Sequence, residues 1–267
     1  MKKLRIYQVD AFSGRLFGGN PAAVVPLDTW LDAKTMQSIA LENNLAETAF
    51  FAPEGSGFRL RWFTPEVEVK LCGHATLASA YVLFTILEPG RREVKFETLS
   101  GTLTVVASGD ELVMDFPRWT LSAAPADASG AALAAGLGAT PTHVLSTGDG
   151  DCRFCVFESE ADVRALAPRF DVVAEEASHG VIVTAPGDEV DFVSRFFAPS
   201  AGVREDPVTG SAHCALTPYW SARLGKTSLR ARQISRRGGE LFLEQRGDRV
   251  TIAGHAVLYM KGEITLA

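Results

Sequence analysis

The chain has 267 residues, 46% of them hydrophobic and 22% charged, with a net charge of −6 and a pI near 5.5. This balance fits a globular protein with a real core, built as one large domain or two of about 130 residues each. It excludes a basic nucleic-acid surface and any apolar run of the ~18 residues that a membrane span needs. The four cysteines, Cys72, Cys152, Cys155 and Cys214, are too few for a disulfide scaffold in a chain of this length. No apolar signal-type run follows "MKKLRIYQVDAF", so a cytoplasmic location is expected.

Taken in chain order, "LRIYQVDAF" (4–12) reads as a strand, and "DAKTMQSIALENN" (32–44) as a helix with Met36, Ile39 and Ala40 on its inner side. "ETAFFAP" and "FRLRWFTP" are strands. "HATLASAYVLFTIL" (74–87) is apolar nearly all round, the mark of a buried helix. "EVKFET" and "GTLTVVA" are strands again. The segment 118–138 is rich in Ala, Ser and Pro and marks the boundary between halves 1–117 and 118–267, the last strand near 255–267 being assignable to either. Beyond it "THVLSTG", "RFCVFES", "GVIVTAP", "DFVSRFFAP" and "ELFLEQR" read as strands, and "AHCALTPYWSARLG" (212–225) as a second central helix that Pro218 kinks or shortens.

The chain repeats itself once. "RWFTP" at Arg61 recurs as "RFFAP" at Arg195, 134 residues on. Pro53 and Pro186 close similar strands 133 apart, and "GTLTVVASGDEL" at Gly101 matches "GELFLEQRGDRV" at Gly239, 138 apart. The sequence therefore predicts an α/β (α+β) fold of two halves related by a pseudo-twofold axis, each a rolled, mostly antiparallel sheet around a central helix.

Two glycine-led helix starts, at Gly73 and Gly210, fall at matching places 137 residues apart. A helix start exposes unpaired N–H groups and the positive end of the dipole, which suits a small anion such as a carboxylate. If the halves face each other, both starts open into one interdomain cleft. Where the halves differ, chemistry is expected. Glu47 falls opposite Gly180, and a half-buried carboxylate suits proton transfer. His74 falls opposite Ser211; at a helix start its ring is expected to be neutral and able both to donate and to accept. Asp206, ahead of Pro207, either caps a turn or points an acid at the site. Ser211 either caps its helix or donates to a ligand. Glu42 and Glu68 read as solvated acids.

Other chemistries lack support. Cys72, His74, His213 and Cys214 do not have zinc spacing, since adjacent helical residues diverge by about 100°. "CRFC" (152–155) lies in a strand, where its cysteines face opposite ways. There is no Gly-x-Gly-x-x-Gly, Walker loop or Gly-x-Ser-x-Gly elbow, and "FGGNP" (17–21) is a glycine turn without the helix that a nucleotide site requires. No metal and no organic cofactor is expected.

At "YQVDAFSGRLFGGNPAAVV", "LAETAFF", "FTPEVEVKLCGHATLASAYVLF", "SRFFAPSAGVREDPVTGSAHCAL" and "ISRRGGEL" the chain resembles the PhzF-like family of phenazine-biosynthesis-type isomerases. The resemblance implies a diaminopimelate epimerase-like fold, a homodimer, no metal or cofactor, and isomerisation by proton transfer on a small carboxylated substrate. It implies catalytic roles for Glu47, His74 and Asp206, and substrate binding by Asn20, Gly73, Gly210 and Ser211. The related epimerases use two cysteines, each just before a glycine at a central-helix start. Cys72 fills the first place, but Thr209 fills the second, so a two-thiol racemase is an alternative missing one partner. A non-catalytic interaction module that kept the fold is the other alternative.

Overall fold

The computed structural model describes residues 1–124, 130–148 and 151–266; residues 125–129 of the expected boundary segment lie outside the described residues. The chain divides into two compact units, Met1–Asp115 with Ile252–Ala267, and Phe116–Thr251. The first contains β1 (Lys2–Ala11), β2 (Asn20–Pro26), α1 (Ala33–Asn43), β3 (Glu47–Glu54), β4 (Gly57–Phe63), β5 (Glu68–Val69), α2 (Gly73–Val82), β6 (Glu93–Thr98), β7 (Gly101–Ser108) and most of β8 (Glu111–Pro117). The second contains β9 (Leu121–Ala123), α3 (Gly130–Leu137), β10 (His143–Thr147), β11 (Cys152–Val156), α4 (Glu160–Ala165), α5 (Phe170–Glu176), β12 (Gly180–Pro186), β13 (Phe192–Ala198), β14 (Val203–Asp206), α6 (His213–Leu224), β15 (Ser228–Gln233) and β16 (Gly239–Arg246). β17 (Arg249–Gly254) brings the chain back, and β18 (Ala256–Leu266) completes the first unit.

The two units have one topology. In the first, β18, β1 and β2 are antiparallel neighbours. β2 then pairs parallel with β3, β3 antiparallel with β4, β4 parallel with β6, and β6 antiparallel with β7. In the second, β9, β10 and β11 are antiparallel, β11 is parallel to β12, β12 antiparallel to β13, β13 parallel to β15, and β15 antiparallel to β16. The short β5 and β14 hang on β4 and β13 in the same sense. Each sheet thus has two parallel joints, and each joint is a crossover carrying helix, as parallel neighbours require. Such repetition of pairing supports the duplication read from the sequence anchors.

Both faces of each sheet are covered, so central strands are buried along their length instead of alternating. In the first unit Ala23, Val25, Phe50 and Ala52 face Met36, Ile39 and Ala40 of α1. The intervening residues face α2, which is buried at every position from His74 to Val82 except Tyr81. Helix α1 starts where Asp32 accepts the Thr35 N–H at 2.9 Å, and ends at Asn44, whose left-handed backbone (φ 48°) turns its N–H back to the Ala40 carbonyl. In the second unit α3, α4 and α5 cover one face through Leu133, Leu137, Val163 and Val173. Helix α6 covers the other, where Trp220 stacks on Phe192 at 5.7 Å and donates from Nε1 to Thr184.

Pro218 neither ends nor shortens α6, which runs on to Leu224. Lacking an N–H, it leaves the Cys214 carbonyl four residues back without its helical donor. The Trp119 N–H supplies the missing bond at 2.8 Å. Among the described residues no helix is long and apolar enough to cross a membrane.

Trp220 is 1% exposed. Trp220→Ala should therefore cost about 3–5 kcal/mol in urea unfolding, the range for truncating a large buried aromatic. A loss below about 1 kcal/mol would show that α6 is held to its sheet by something else.

Candidate active site

In the first unit three elements bring four side chains together. Asn20 opens β2, Glu47 opens β3, and His74 lies in the first turn of α2 behind its N-cap, Cys72. Asn20 is placed by Gly19, whose backbone is left-handed (φ +65°) and whose missing Cβ would lie 2.1 Å from the Ala11 carbonyl oxygen; only glycine fits there. Glu47 follows the three-residue link after α1 and pairs in parallel register with Ala22. Asn43, at the end of α1, donates to Thr48 Oγ1 at 3.1 Å and pins the start of that strand.

His74 Nε2 lies 3.0 Å from Glu47 Oε2. Its other nitrogen, Nδ1, lies 3.2 Å from Asn20 Nδ2 and 3.5 Å from Cys72 Sγ. When the ring is neutral, an amide N–H from Asn20 onto Nδ1 leaves the ring proton on Nε2, facing the carboxylate; when it is protonated, both nitrogens are donors. Asn20 is fully buried and His74 is 5% exposed, whereas the Glu47 side chain keeps 18% of its surface exposed. The carboxylate is therefore the solvent-reachable end of a buried polar row.

Burial works against a charge on His74, but the Cys72 sulfur and the Glu47 carboxylate outweigh it and hold the ring's pKa above the ordinary histidine value. The Cys72 thiol is itself pushed up to about 11, first by burial and then by the Glu47 charge. The sulfur is thus uncharged at neutral pH, and the carboxylate is the partner that favours imidazolium. The direction is opposite to the one that the helix dipole alone gives, because the dipole disfavours imidazolium while the neighbouring groups favour it.

In the second unit Asp206 ends β14, and its Oδ2 accepts from Thr209 Oγ1. Gln233, the last residue of β15, clamps the same turn. Its Oε1 accepts the Thr209 N–H at 2.8 Å, and its Nε2 donates to the Asp206 carbonyl at 2.8 Å. Sequence reasoning did not single out Gln233: an amide at the end of a strand carries no motif, and its role shows only once β15 lies beside the turn. His213 Nδ1 donates to the Thr209 carbonyl at 2.9 Å. Burial lowers its pKa to about 4, partly offset by that hydrogen bond.

Two sequence expectations are corrected here. Gly73 is the first residue of α2, as expected, but Gly210 and Ser211 precede α6, whose first residue is His213. They lie in a tighter turn, in which the N–H groups of His213, Cys214 and Ala215 reach the carbonyls of Gly210, Ser211 and Ala212. Glu68, read as solvated, is only partly exposed and accepts from Nε and Nη2 of Arg61, each at 2.7 Å.

The contrast between Glu47 and Gly180 has a steric basis. Both open the third long strand of their unit, in parallel register with Ala22 and Cys152 respectively. A Cβ on Gly180 would lie 2.6 Å from the Phe196 ring and 2.9 Å from the Phe197 carbonyl oxygen. The second unit has no room for a side chain where the first carries a carboxylate.

Residues 9–262 match the family model described as phenazine biosynthesis-like protein. An uncharacterized isomerase of Pseudomonas aeruginosa is 54% identical, over 99% of this chain and 100% of that one. A crystal structure of a phenazine biosynthesis protein of the PhzF family from Enterococcus faecalis superposes with a TM-score of 0.94 at 44% identity, covering 99% of this chain and 100% of that one. A hydroxyproline epimerase from Agrobacterium vitis, at 12% identity and a TM-score of 0.62 over 98% and 92% of the two chains, shares the fold alone.

His213 predicts a pH dependence of stability. Its folded pKa of about 4 lies below the ordinary 6.5, so between these values the unfolded chain binds a proton that the folded one refuses. Stability should fall as pH drops from 6.5 to about 4 and lose nothing further from this group below that. The loss is on the order of 3 kcal/mol. Urea midpoints measured across that range should fall less steeply in His213→Gln; parallel curves would remove His213 from the account.

Proposed function

The chain belongs to the phenazine biosynthesis-like family, and from that premise we propose that it is a cofactor-independent isomerase that moves a proton on a small carboxylated substrate. The observation that carries this reading is the Glu47 carboxylate, half-buried and 3.0 Å from a histidine ring that is itself fixed from behind. Glu47 removes a proton from one carbon of the substrate and returns it to another, so that the double bond shifts while atoms and charge balance. His74 holds the carboxylate in place and shares the travelling proton. Asn20 keeps the ring's Nε2 toward Glu47. The N–H groups at Gly73 bind the substrate carboxylate and the negative charge that develops beside it. In the second unit, Asp206, oriented by Thr209, is the candidate acid, and Gly210 and Ser211 are the candidate binding groups.

The racemase alternative is weakened by chemistry already described. Cys72 is a thiol with its pKa at about 11, and the hydroxyl in the second cysteine's place donates to Asp206. A two-thiol exchange needs a thiolate at one position and a thiol at the other. The uncharacterized isomerase of Pseudomonas aeruginosa, alike over nearly the whole chain, favours the enzyme over an inert interaction module.

Two variants test the reading against a panel of small unsaturated or hydroxylated carboxylic acids, with turnover followed in D₂O. Glu47→Gln keeps size and removes proton transfer, so turnover should fall roughly 10²- to 10⁴-fold with folding intact, and solvent deuterium should enter the parent's product at the migrating position. An undiminished rate in a folded Glu47→Gln protein would show that another group carries the proton. Asp206→Asn should lower turnover about tenfold or more; if it leaves turnover and KM untouched, Asp206 is a turn residue only.

A further inference from the structure

Cys72 has no part in the proton transfer proposed above, yet it sits against both groups that do. One donor atom each from Glu47, Cys72 and His74 lies within 4.8 Å of the others. Cys72 and His74 are buried, and Glu47 is half-buried. From this juxtaposition we infer that the Glu47–Cys72–His74 cluster captures a borderline-soft divalent cation, zinc(II) or its analogue cobalt(II), and that the captured ion blocks the carboxylate.

The donor set decides the class of ion. A carboxylate, an imidazole and a sulfur are the three donor types of zinc chemistry, whereas magnesium and calcium take oxygen. Three protein donors leave a fourth position open, toward the exposed side of Glu47. The spacing is loose for a filled site. Metal–donor bonds of about 2.0–2.3 Å need the donors to draw together: Glu47 approaches Nε2 at 3.0 Å and Cys72 approaches Nδ1 at 3.5 Å, so whichever nitrogen takes the ion, the donor on the other side must move toward it, within a cluster that spans no more than 4.8 Å. The ring offers one nitrogen to the ion, so it must give up either its Asn20 or its Glu47 contact. This set differs from the cysteine–histidine pairs excluded on spacing: it uses only Cys72 and His74, and takes its third donor from a different strand.

Capture has a proton cost. The Cys72 thiol binds the ion as thiolate, so one proton passes to solvent for each ion bound.

The test uses the full chain, stripped with a chelator and titrated with cobalt(II). A thiolate-to-cobalt charge-transfer band should appear in the near ultraviolet, with strong visible bands of a four-coordinate ion, at one ion per chain. Zinc(II) should abolish them and magnesium(II) should not. Cys72→Ser should remove the charge-transfer band. Glu47→Gln should keep it and weaken binding at least about tenfold, the lower end of what even a supporting residue is worth to a metal site. Cys72→Ala runs beside Cys72→Ser, so that a folding defect in one leaves the other to decide. No band in the parent, or a band that persists in the cysteine variants because Cys152, Cys155 or Cys214 supplies it, overturns the inference. Turnover is not the readout, so the isomerase reading can fail without touching this result, and the reverse.

Discussion

The candidate site depends on a single ring held from both sides. His74 is buried, and an imidazole in that position must satisfy two nitrogens without water. One faces the Glu47 carboxylate, the other Asn20 and Cys72. Moving any of the three strand or helix starts that carry these groups separates the ring from the groups that position it. Gly19 with its left-handed backbone, the Asn43–Thr48 bond and the burial of α2 from His74 to Ala80 can all be understood as conditions for keeping the ring where it is.

Duplication explains how such a site arises beside a twin without it. The units share strand order, crossovers and register, but use the third long strand differently. In one, Glu47 has space beside α2; in the other, Phe196 and the Phe197 carbonyl occupy the space that a side chain on Gly180 would need. The second unit keeps its polar chemistry in the turn after β14, where Gln233 stands in for a missing strand partner by offering both a donor and an acceptor to the backbone. The same architecture thus serves one carboxylate fixed by a strand and one fixed by a turn.

Much of this was legible in the residues. The buried character of α2, the inner side of α1 and the asymmetry at Glu47 and His74 follow from local pattern and from comparing the halves. The parallel joints were not legible, because β2 begins within a glycine turn whose partner, β3, lies across a helix. Nor was the start of α6: Gly210 and Ser211 look like a helix opening, and only the i→i−3 bonds show the tighter turn. The upward shift of the ring's pKa was not legible for a related reason, since the dipole of α2 is visible in sequence while the distance to Glu47 is not.

The pairing of β1 with β18 sets the order in which this protein can be finished. Lys2 lies opposite Leu266, and the ladder runs from there to Ala11 opposite Ala256. Between them the chain leaves the first unit at Asp115, builds all of the second, and returns at Ile252. On the ribosome, β1 therefore has β2 on one side and an open edge on the other until nearly the whole chain has been made. Contacts so distant in sequence slow folding, and an unpaired edge in the meantime is a template for the wrong partner. The second unit, continuous in sequence, can close while the first still waits for its final strand.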